Sequence, residues 1–125
     1  MAKKRILIID DTDDITTPLK LYLEKSGAYE IRVENAGSKG LEAAKAFTPD
    51  LILLDVMMPD MDGGDVAAQL EEEPSTAAIP VVFLTAAVTK EEVADKRTTL
   101  GGRPLLSKLT SLQEIITYIR KTVGA

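Results

Sequence analysis

Leu51-Ile52-Leu53-Leu54-Asp55 sets four aliphatic residues in a row against a carboxylate. A strand with one wet face alternates apolar and polar residues. An unbroken aliphatic run reads instead as a strand buried on both faces, the situation in a parallel sheet covered by helices. Arg5–Ile9 and Pro80–Leu84 have the same character on either side of it, and Pro104–Ser107 is a shorter run. Glu30–Glu34 alternates, with Ile31 and Val33 between charged neighbours, which suits an edge strand.

The segments between these runs carry helical spacing. Ile15, Leu19 and Leu23 recur at four, Leu41, Ala44 and Phe47 at three. Leu112, Ile115, Ile116, Ile119 and Val123 form the clearest amphipathic stripe. Thr89 with Glu92, and Ser111 with Glu114, have the spacing of capping boxes, in which a hydroxyl and a carboxylate satisfy the unpaired amides of a helix start. Pro18 falls inside the first helical segment, where its missing N–H predicts a bend or a late start. Strands alternating with helices imply right-handed crossovers and a parallel sheet covered on both faces. The expectation is one α/β domain over residues 1–125, built from five βα units.

Composition narrows the chemistry. The chain of 125 residues is 45% hydrophobic but only 4% aromatic and without Trp, so one aliphatic core is expected. No apolar run approaches the ~20 residues of a membrane span. Asp10 and Asp11 interrupt the run after Lys3-Lys4-Arg5 too early for a signal peptide, so a cytoplasmic location is expected. Without Cys or His there is no thiol nucleophile, imidazole base or imidazole metal ligand. Carboxylates, hydroxyls, lysines and a hard cation remain. A net charge of −5 argues against a nucleic-acid surface, so no direct DNA binding is expected.

In open α/β sheets function collects beyond the carboxyl ends of the strands. Here those ends carry Asp10-Asp11, Asp55, Thr85 and Ser107-Lys108. If the first and third strands are neighbours, Asp10, Asp11 and Asp55 converge. Two like charges 4 Å apart cost about 4 kcal/mol at an effective dielectric near 20. A hard divalent cation such as Mg²⁺, which takes oxygen ligands, resolves that repulsion. Lys108 brings an ammonium that can pair with Asp55 or with a phosphoryl group on it. Each residue also has a plainer reading: the aspartates as turn or cap residues, Thr85 as structural, Lys108 as solvated. Asp13, Asp14 and Glu71–Glu73 read as helix-start and surface charges.

Leu53–Gly63, LLDVMMPDMDG, resembles the signature around the phosphorylated aspartate of response-regulator receiver domains. IIDD at the first strand end, FLTA at the fourth and GGRPLLSK at the fifth extend the likeness along the whole chain. The resemblance implies a flavodoxin-like, doubly wound five-stranded parallel sheet of order 2-1-3-4-5, (βα)5. It implies that Asp55 accepts a phosphoryl group from a phosphohistidine on a sensor histidine kinase or phosphotransfer protein. Asp11, Asp55 and the backbone carbonyl of Met57 would ligate Mg²⁺, with Asp10 acting through water. Lys108 would hold the phosphoryl group, and Thr85 would turn its hydroxyl toward it. Pro59 and Gly63 are expected to shape the loop, Met58 to fill the core, and small Ala86 to leave the site open to water or a partner. Two positions depart from the family pattern: Leu105 stands where an aromatic is usual, and Leu109 where a proline is usual.

The favoured reading is therefore a stand-alone phosphoacceptor switch rather than a turnover enzyme, acting on a downstream protein target. Its output face would comprise the fourth helix, fifth strand and fifth helix, which could also support a weak homodimer. Three competing readings are a phosphatase of the haloacid-dehalogenase type, from Asp11-Thr12-Asp13, a flavodoxin-like nucleotide binder, and a receiver kept only for docking. The favoured reading requires the Asp55 carboxyl to lie within reach of the other two acids and of solvent.

Overall fold

A computed structural model describes residues 3–85, 99–100, 103–108 and 111–124. The strands are β1 (Lys4–Ile9), β2 (Tyr29–Glu34), β3 (Leu51–Asp55), β4 (Val81–Thr85), β5 (Thr99–Leu100) and β6 (Arg103–Ser107). The helices are α1 (Asp13–Lys25), α2 (Gly40–Phe47), α3 (Gly63–Glu72) and α4 (Leu112–Val123), with a 3-10 turn over Gly37–Lys39. The strands lie in the order β2-β1-β3-β4-β6-β5. All neighbours among β2, β1, β3, β4 and β6 run parallel. This is the five-stranded order 2-1-3-4-5, with β6 as its fifth strand. The two-residue β5 adds an antiparallel margin to β6, which no periodicity in so short a segment could show.

Burial explains the aliphatic runs. Leu51–Asp55 and Val81–Thr85 are buried at every position, while β2 is buried at Tyr29 and Ile31 but open at Glu30. Successive side chains on a strand point to opposite faces. Ile6, Ile8, Leu51, Leu53, Val82 and Leu84 accordingly pack with Leu19 and Leu23 of α1 and Ile115, Ile116 and Ile119 of α4. Leu7, Ile9, Ile52, Leu54, Val81 and Phe83 pack on the other side with Ala43 and Ala44 of α2 and Val66 and Leu70 of α3. Each buried aliphatic side chain contributes roughly 1.5–3 kcal/mol.

α1 starts at Asp13 and runs through Pro18, so the late start expected from that proline does not occur. The buried stripe of Leu19 and Leu23 holds the helix across the lost donor. Ser111 caps α4 by accepting from the Glu114 amide at 3.2 Å, the hydroxyl half of the expected capping box. The Thr89–Glu92 pair, Ala86, Leu109 and the expected fourth helix lie outside the described residues. α2 ends on Thr48 in left-handed conformation (φ 48°), unusual for a β-branched residue. Arg5 braces that corner: its guanidinium donates to Phe47 O at 3.0 Å and to Thr48 Oγ1 at 3.1 Å, and lies over the Phe47 ring.

Candidate functional site

Six polar residues are buried among the described ones, and four of them, Asp10, Asp55, Thr85 and Ser107, stand at the carboxyl ends of strands. The sheet register brings those ends together. Asp10 follows Ile9, which pairs with Leu54 just before Asp55; Asp55 pairs with Leu84 just before Thr85; Thr85 pairs with Ser107 just before Lys108. The Lys108 amide donates to the Thr85 carbonyl at 2.8 Å, extending the ladder one residue past β6.

One carboxylate oxygen from each of Asp10, Asp11 and Asp55 lies within 4.8 Å of the others. Asp10 is fully buried and Asp55 nearly so, while Asp11 is more open. Lys108 Nζ sits 2.8 Å from Asp10 Oδ2 and 3.5 Å from Asp55 Oδ1. Asp10 Oδ2, fully buried, has the Lys108 ammonium as its close partner. Asp10 Oδ1, by contrast, accepts from the Thr12 amide at 3.1 Å and from Thr12 Oγ1 at 3.0 Å.

These surroundings set the protonation. Burial, then the neighbouring Asp10 charge, pushes the Asp55 carboxyl up to about 6, against the opposing pull of Lys108. Burial works to lower Lys108, but the Asp10 and Asp55 carboxylates outweigh it and hold the ammonium above its ordinary value. The arrangement is one lysine among three carboxylates. A divalent cation fits this set: the donors are all hard oxygens, and three clustered carboxylates face a single ammonium.

The loop after β3 is fixed from several sides. The Gly63 amide donates to the Val56 carbonyl at 2.8 Å, and a Cβ on Gly63 would run into the backbone oxygen of Asp55. Asp62 caps α3 by accepting from the Gly64 amide at 2.9 Å. Asp60 accepts from the amides of Gly37 and Ser38 at 3.2 and 3.0 Å, and these bonds hold its carboxyl below the usual range. Met58 fills the core as expected, whereas the Met57 side chain is 69% exposed; the Met57 amide donates to Asp55 Oδ1 at 3.4 Å.

The model of the response regulator receiver domain matches residues 6–120. The chain belongs to this family. As a receiver domain it is similar to the protein PilH of Pseudomonas aeruginosa, 34% identical over 97% of this chain and 95% of PilH. It is 38% identical to the alkaline phosphatase synthesis transcriptional regulatory protein PhoP of Bacillus subtilis, over 90% of this chain and 45% of that protein. The chain thus spans nearly all of one curated relative and about half the length of others. Among solved structures, the signal receiver domain of a DNA-binding response regulator from Colwellia psychrerythraea superposes with a TM-score of 0.79 at 26% identity, covering 98% of this chain and 100% of that one. The chemotaxis protein CheY4 of Vibrio cholerae, at 22% identity and a TM-score of 0.80, covers 97% of this chain and 99% of its own and shows the fold alone.

The receiver pocket gathers Asp10, Asp11, Asp55 and Lys108, with Thr85 on the adjoining strand end. The solvent access expected for Asp55 is nearly absent: its side chain is 5% exposed, with Lys108 Nζ 3.5 Å away, so a donor reaches it only once Lys108 moves aside. Leu105 packs half-buried against the layer containing Phe83. Thr12 and Asp60 were not legible as site residues. Thr12 bonds to Asp10, two residues before it, through the local turn geometry, while Asp60 meets residues 37–38, brought in by the fold. No helix among the described residues is long and apolar enough to cross a membrane.

Proposed function

We propose that this receiver domain accepts a phosphoryl group on Asp55 from a phosphohistidine of a sensor histidine kinase or phosphotransfer protein, and that the modified form controls a downstream protein in the cytoplasm. The convergence of three carboxylate oxygens within 4.8 Å, with Lys108 Nζ 3.5 Å from Asp55, carries this reading. Asp11, Asp55 and the Met57 carbonyl would hold one Mg²⁺, with Asp10 acting through water. The bound cation supplies positive charge to the phosphoryl oxygens, which phosphoryl transfer chiefly needs.

The chain's own residues do the rest. An Asp55 oxygen forms the new P–O bond as the P–N bond of the donor breaks, and the imidazole leaves with that electron pair and takes up a proton. Lys108 moves from Asp10 and Asp55 to the transferred oxygens, and Thr85 offers them its hydroxyl. Water later cleaves the acyl phosphate and regenerates the carboxylate, so the chain works as a switch with slow self-dephosphorylation. The two states differ in population, read out on the face that includes β6 and α4, where a weak homodimer could also form. Incubation with acetyl phosphate and MgCl₂, followed by intact mass, tests the assignment. The wild type gains one phosphoryl group and Asp55→Asn gains none; uptake by the variant would place the acceptor elsewhere.

A further inference from the structure

Thr12 stands at the N-cap of α1 with extended backbone (φ −117°, ψ 149°), yet its side chain caps nothing. A hydroxyl at that position ordinarily accepts from an early helical amide, a bond whose loss costs about 1 kcal/mol. Asp62 and Ser111 do this for α3 and α4. Thr12 Oγ1 instead donates to Asp10 Oδ1 at 3.0 Å, beside its own amide at 3.1 Å. A hydroxyl has one proton. With that proton on Asp10, only lone pairs face Lys108 Nζ, which approaches Thr12 Oγ1 at 3.5 Å.

The consequence falls on Asp10. Its Oδ1 is held by two donors from one residue, while Oδ2 faces the Lys108 ammonium at 2.8 Å. We propose that Thr12 is a positioning residue for the cation: it fixes Asp10 through Oδ1 so that Oδ2 stays turned into the pocket. The hydroxyl serves the site at the expense of the helix. This rests on the metal-dependent reading of Asp10, Asp11 and Asp55.

The test titrates MgCl₂ into the full chain calorimetrically for wild type, Thr12→Ser and Thr12→Val, and in parallel follows phosphoryl uptake from acetyl phosphate against Mg²⁺ concentration. Losing one hydrogen bond to a carboxylate weakens binding of Mg²⁺ to Thr12→Val by about tenfold, which corresponds to about 1.4 kcal/mol. Thr12→Ser keeps wild-type affinity. For Thr12→Val the half-saturating Mg²⁺ concentration rises by the same factor while the rate at saturation is retained; a fold defect would lower the amount modified without moving that concentration. Thr12→Val titrating like wild type, or Thr12→Ser as weak as Thr12→Val, overturns the proposal. A wild type that binds Mg²⁺ but takes no phosphoryl group, with Thr12→Val still weaker, sinks the phosphorylation reading and supports this one. A wild type that binds no Mg²⁺ sinks both.

Discussion

Lys108 is the residue on which the metal-free site depends. Among the described residues its ammonium is the cation at ion-pair distance from Asp10 and Asp55, both almost withdrawn from water. Removing one partner of a buried ion pair costs 3–5 kcal/mol, because the remaining charge is stranded. Lys108 retains 15% exposure, so Lys108→Met is expected to lower metal-free stability by about 2–3 kcal/mol in denaturant unfolding, with much of the loss restored by Mg²⁺. Asp55 gives a pH signature. The native carboxyl titrates near 6 and the unfolded one near 3.8, so between these values the native state keeps a proton that the unfolded chain has released. Metal-free stability from this group therefore falls as pH rises from about 4 to 6. Asp55→Asn should lack that component, seen as the difference between the two proteins' unfolding free energies across the window.

At the scale of elements, the loop between β3 and α3 is the least forgiving. Gly63 admits no side chain because the returning backbone lies against Asp55 O and Val56 Cα. Gly63→Ala should cost about 1–3 kcal/mol through overpacking. It should also weaken Mg²⁺ binding by shifting Asp55, which calorimetry would show. The elements themselves were largely legible in the chain. Continuous aliphatic runs located β1, β3 and β4 to within a residue at each end, because burial on both faces leaves no other pattern open. The carboxylates that end β1 and β3 pointed to the site for the same topological reason. What stayed hidden depends on distance along the chain. Asp60 reaches back 22 residues to the Ser38 amide, and Arg5 crosses 43 to Thr48. The tolerance of Pro18 follows from the buried stripe beneath α1, a tertiary effect that no local propensity contains.

The whole molecule is a sheet between two aliphatic layers, with its buried acids collected at one rim. Those acids are repulsive ballast in the metal-free fold, so a cation bound only by the folded state should stabilise it. At 100 times the dissociation constant that linkage is about 2.7 kcal/mol, or roughly 10 °C in a domain of this size. A melting temperature unmoved by millimolar Mg²⁺, with CaCl₂ and NaCl at equal ionic strength as controls, would count against the metal site. The Asp60 bridge adds a consequence of another kind. Gly37 and Ser38 donate their amides to a carboxylate on the loop that follows Asp55. Whatever loosens that loop must first unfasten these two hydrogens, so their exchange with deuterated solvent becomes a remote gauge of the loop. An observer could follow the switch at residues 37 and 38 without placing any probe near the aspartates.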